Sequence, residues 1–102
     1  MKKKTDGHSF NFFQLVSVDG YNTFSEDSQV TINIRFLRSF SLVNYGPSDV
    51  YYSLDGNNIS GDMRVGTPTA AIMFDNRAIG AVWLIKVNPN DANSVVRVEA
   101  WA

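Results

Sequence analysis

From Gln29 onward the chain keeps one rhythm, a short run of alternating apolar and polar residues followed by a turn rich in Gly, Pro, Asn or Asp. Successive side chains of a β-strand point to opposite faces, so a period of two buries one face and wets the other. The clearest run is Gln29 to Phe36, with Val30, Ile32, Ile34 and Phe36 on one side and Thr31, Asn33 and Arg35 on the other. Arg38 to Tyr45 puts Phe40 and Leu42 inward and ends at Gly46-Pro-Ser-Asp49. Val50, Tyr52 and Leu54 share a face before the turn Asp55-Gly-Asn-Asn58. Ile59 to Val65, interrupted by Gly61, reads as an edge strand or ordered loop, and Ser94 to Ala102 as the last strand. No stretch of about 11 residues has the apolar spacing of an amphipathic helix.

This pattern predicts an all-β chain of about seven to eight short strands, arranged as a two-sheet antiparallel β-sandwich. Jelly-roll and immunoglobulin-like wirings both fit, with a barrel as the runner-up. Residues 1–8, with Lys2, Lys3 and Lys4, read as a flexible basic arm, and residues 9–102 as one domain. From Ser9 to Val18 the apolar residues Phe10, Phe12, Phe13, Leu15, Val16 and Val18 slip phase at Phe12–Phe13, which predicts a bulge or a strand that changes sides. Tyr21 to Ser28 is a polar loop that Phe24 would anchor.

The segment Thr69 to Val87 departs from the rhythm. Ala70–Phe74 and Ile79–Ile85 flank a turn of Asp75, Asn76, Arg77 and Ala78, which reads as a hairpin apolar on both faces. A sheet with one face in water does not carry that composition, so the second face is expected to be buried against another subunit. Full burial of a side chain such as Ile72, Met73, Trp83 or Ile85 contributes roughly 1.5–3 kcal/mol, against about 5–15 kcal/mol for a whole domain.

Candidate chemistry is sparse. The chain has no cysteine, which removes disulfides, thiolate metal sites and thiol catalysis. His8 is the sole histidine and sits in the basic arm, without a partner that would make it a general base. No Gly-x-Ser-x-Gly elbow is present. Asp55 to Asp62 resembles a calcium loop, but Ile59 occupies a position that needs an oxygen, so an Asx-stabilised turn is the better reading. Outside the lysine run, six basic face ten acidic side chains, which disfavours nucleic acid despite Arg35 and Arg38 around Phe36. The polar Thr5–Ser9 following the lysines is unlike a secretion signal, and no apolar run approaches the roughly 20 residues of a membrane span. No enzyme activity, metal, cofactor or small-molecule substrate is therefore expected. Tyr21, Tyr45, Tyr51, Trp83 and Trp101 could stack on sugars, with Tyr51 the best exposed.

At Asn44-Tyr-Gly46, Asp49-Val-Tyr-Tyr-Ser-Leu-Asp-Gly56, Gly61-Asp-Met63, Phe74-Asp-Asn-Arg77, Trp83 and Val98-Glu-Ala-Trp101 the chain resembles small β-sandwich structural proteins of tailed bacteriophages. The likeness spans roughly residues 30–102. It implies a non-enzymatic virion component, made in the host cytoplasm: a capsid decoration or cement protein, or a head–tail or tail accessory protein. The partners it implies are further copies of the chain and other virion proteins such as the major capsid protein. The expected contact residues are Phe10, Phe12 and Phe13 as anchors behind the basic arm, Ile72, Met73, Trp83 and Ile85 of the two-faced segment, and Trp101. The alternative is a carbohydrate-binding or adhesin-like module using Tyr51, Trp83 and Trp101.

Overall fold

The computed structural model describes residues 12–32, 38–75 and 79–101. Its strands are β1 (Phe12–Val18), β2 (Gln29–Thr31), β3 (Ser39–Gly46), β4 (Val50–Ser53), β5 (Gly61–Met63), β6 (Ala71–Phe74), β7 (Ala81–Lys86) and β8 (Ser94–Trp101). They form two four-stranded sheets, β1-β8-β3-β6 (sheet A) and β2-β7-β4-β5 (sheet B), packed face to face as an all-β sandwich. Each strand pairs antiparallel with the one whose number completes nine: β1 with β8, β2 with β7, β3 with β6, β4 with β5. A chain doubled back as one long ribbon gives those pairs, and rolling the ribbon sends successive pairs to alternate sheets. This is the wiring of a jelly roll, distinct from the immunoglobulin order.

The alternation read from the sequence sets the inward faces. Phe40 and Leu42 of β3 and Val96, Val98 and Ala100 of β8 meet Val50 and Tyr52 of β4 and Val82 and Leu84 of β7. Phe74 closes one side of this core, its ring centroid 6.0 Å from Phe40 and 6.2 Å, edge-on, from Tyr52. Val30 and Ile32 are buried as predicted, and the Ile32 N–H continues the β2 pairing by donating to Gly80 O at 2.8 Å. The remainder of the Gln29–Phe36 run, with Ile34 and Phe36, lies outside the described residues. So do the basic arm, His8 and Phe10.

Two sequence expectations need correction. β6 and β7 do not form a hairpin: β6 pairs with β3 in sheet A, while β7 lies between β2 and β4 in sheet B. The apolar residues of that segment serve two sheets, and polar turn residues join strands across layers as readily as within one. In addition, β1 carries no bulge, since its pairing with β8 runs from Phe12–Ala100 to Val18–Ser94 without a register shift. The slip at Phe12–Phe13 instead marks a strand apolar on both faces.

At one end of the roll a buried polar cluster ties the β3–β4 and β7–β8 connections together. The Asn44 amide donates to Ser48 O at 2.8 Å and to Met63 O at 3.0 Å, and its Oδ1 accepts from Gly46 N at 2.9 Å. Ser94 Oγ lies 2.8 Å from both Asn44 Oδ1 and Ser48 O, and Ser48 Oγ donates to Ala92 O. These polar groups are paired internally, as burial requires.

Candidate functional site

The two sheets treat their outer faces differently. Over sheet B the chain covers itself. The loop after β1 doubles back beside β7, where Lys86 N donates to Gly20 O at 2.8 Å and Tyr21 bridges to Lys86. Ile85 beneath this loop is only 2% exposed. The β4–β5 turn folds over Trp83, so closely that a Cβ on Gly56 would lie 2.9 Å from the indole ring. The turn is held by Asp55, whose Oδ1 accepts from the N–H groups of Asn57 and Asn58, both at 2.8 Å, and from Ser53 Oγ at 3.0 Å. These bonds, led by that from Asn58, hold the Asp55 carboxyl far below its ordinary range. The Asx turn read from the sequence accounts for this loop.

The described residues leave sheet A open. Its outer face carries Phe13 and Leu15 from β1, Val95, Arg97, Glu99 and Trp101 from β8, Val43 and Tyr45 from β3, and Met73 from β6. Phe13, Leu15, Tyr45 and Met73 are each more than half exposed. One row across the sheet reads Phe13, Glu99, Ser41, Met73, and the next reads Leu15, Arg97, Val43, Ala71. Apolar side chains thus flank a central ion pair. Arg97 Nε lies 3.7 Å from Glu99 Oε1, and the guanidinium sits 5.9 Å from the centre of the Tyr45 ring. Arg97 Nε is buried and has no hydrogen-bond partner among the described residues. A hollow of about 420 Å³ runs over Val43, Ala71 and Met73 toward Trp101.

The expected contact residues therefore separate. Phe13, Met73 and Trp101 share the open face of sheet A. Phe12 and Ile72 point inward and pack on the core margin. Trp83 lies under the Gly56 turn, and Ile85 is 2% exposed beneath the loop after β1, away from the open face. The expected glycan aromatics do not make one platform, because Tyr51 and Trp83 are on the outer side of sheet B and Trp101 is on sheet A. Leu15, Val43 and Val95 belong to the open face and were not singled out from the sequence; their parity within β1, β3 and β8 was the available signal. Among the described residues no group of three His, Cys, Asp or Glu could hold a metal ion. Asp62 and Asp49 instead bracket Arg64, at 2.7 and 3.1 Å. Comparison with known protein families, curated proteins and solved structures finds no match to this chain.

Proposed function

We propose that the protein is a non-enzymatic structural component of a tailed-bacteriophage particle, a decoration or head–tail or tail accessory protein. It would attach through the outer face of sheet A. The open apolar face around Phe13, Leu15, Tyr45 and Met73 carries the reading. Aromatic residues, Met and Arg are the types enriched where proteins dock, and large apolar side chains exposed on either side of an ion pair suit burial against a partner. The resemblance to phage β-sandwich proteins supports the particle as the partner, and a jelly roll is a frequent capsid scaffold, which is an argument by analogy.

The edge of the same sheet adds a route to self-association. β1 is seven residues long, Phe-Phe-Gln-Leu-Val-Ser-Val, without charge, proline or bulge, whereas the edge strands β5 and β6 have three and four residues. Edges in monomers are ordinarily blunted by such devices. Pairing of β1 with its copy would join two open faces into one surface.

Mass spectrometry of purified particles, and readdition of the protein to particles lacking it, test the reading. Saturable attachment that Met73→Lys abolishes is expected. A protein that is monomeric by light scattering and also fails to attach ends the proposal.

A further inference from the structure

A groove of about 490 Å³ lies on the outer side of sheet B, on the far side of the sandwich from the open face. Asn22, Thr23 and Phe24 form one wall, the turn from Gly56 to Ile59 forms the other, and Ile85 forms the floor. The volume falls within the roughly 300–1,000 Å³ typical of small-ligand sites. None of these side chains is charged. Both walls are held in place. Asn22 has φ +70°, and Thr23 N donates to Tyr21 O at 2.9 Å, which makes a γ-turn of the rare positive-φ kind. Such backbone strain concentrates at ligand sites and persists only where its surroundings enforce it. Across the groove, Asn58 Nδ2 is pinned to Asp55 Oδ2 at 3.0 Å, leaving its amide oxygen as an acceptor. No described residue takes a hydrogen bond from the side-chain amides of Asn22 or Asn57.

We propose that this groove binds a neutral saccharide. Amide side chains donate and accept at adjacent atoms, which matches neighbouring hydroxyls of a sugar ring. The Phe24 ring and the exposed Ile59 supply an apolar surface for the C–H face of that ring. A charged ligand would find no counter-ion here, and a purely apolar one would strip water from three amides without replacing their hydrogen bonds. The site differs from the aromatic platform expected at Tyr51, Trp83 and Trp101. It stands independently of the particle-attachment reading, since the two surfaces are on opposite faces and can be occupied together.

The test is a titration of the ¹⁵N-labelled protein with maltose, lactose, cellobiose and diacetylchitobiose, alongside sialyllactose and a heparin tetrasaccharide. Saturable shifts at residues 22–24 and 56–59 with at least one neutral sugar are expected, weakened about tenfold by Asn57→Ala, whose exposed side chain leaves the turn bonds intact. Phe24→Ala should weaken the same sugar, with folding checked by the unperturbed amides of β3 and β8. The proposal is overturned by blank titrations across the neutral sugars, by binding of the anionic sugars alone, or by shifts centred on Tyr51 or Trp101. Occupation of the groove by an extended peptide in place of sugar would overturn it as well.

Discussion

Single residues hold the turns that shape both outer surfaces. Gly56 sits at φ +82° against the Trp83 indole, so a side chain there meets both a disfavoured backbone region and a ring. Gly56→Ala should cost about 1–3 kcal/mol in urea unfolding and expose Trp83, read as a red-shifted fluorescence. Asp55 sets a pH dependence in the same turn. Its folded pKa is depressed below the ordinary 3.8, so its contribution is whole above that value and is lost as pH falls below it. Melting curves of the wild type should therefore drop more steeply below pH 4 than those of Asp55→Ala. Ile85 separates two readings of the Thr69–Val87 segment. A side chain serving a partner would cost the isolated protein little to remove, whereas one buried within the chain costs about 2–4 kcal/mol as Ile85→Ala. The larger loss is expected by chemical denaturation.

At the scale of elements, each strand's place in its sheet decides what its sequence is for. β8 and β3 are central in sheet A, and their strict alternation buries Val96, Val98, Phe40 and Leu42 while Arg97, Glu99 and Ser41 face outward. β1 is an edge, and the apolar residues of its two faces have separate tasks: Phe12, Val16 and Val18 pack on the core, while Phe13 and Leu15 stay exposed. Leu15→Lys places a charge on the outer face without disturbing the core, so it should leave the melting temperature within about 2 °C. It should also shift a self-associated species to monomer by light scattering, since natural edges are blunted in this way. Retained association in Leu15→Lys would remove β1 as the contact. The connection after β1 is more than a link, because it roofs Ile85 and shapes one wall of the groove.

For the whole molecule, the rolled wiring places the first and last strands side by side, from Phe12–Ala100 to Val18–Ser94. Such pairings close long loops before any contact repays them, so refolding from urea should be slow, roughly milliseconds to seconds by stopped-flow tryptophan fluorescence. A microsecond phase carrying the full amplitude would contradict this. The wiring also makes the sandwich two-sided, with an open apolar face on sheet A and a neutral, loop-walled groove over sheet B. By itself the sequence determined the β class, most strand positions and their inward faces, because a period of two and turn residues are local properties that read directly as burial. Only the tertiary structure decided which strands pair, that Ala70–Phe74 and Ile79–Ile85 part into different sheets, and which apolar face the described residues leave uncovered. Those depend on contacts between residues far apart in the chain: Ile85 looked as available as Met73 until a loop some sixty residues earlier closed over it.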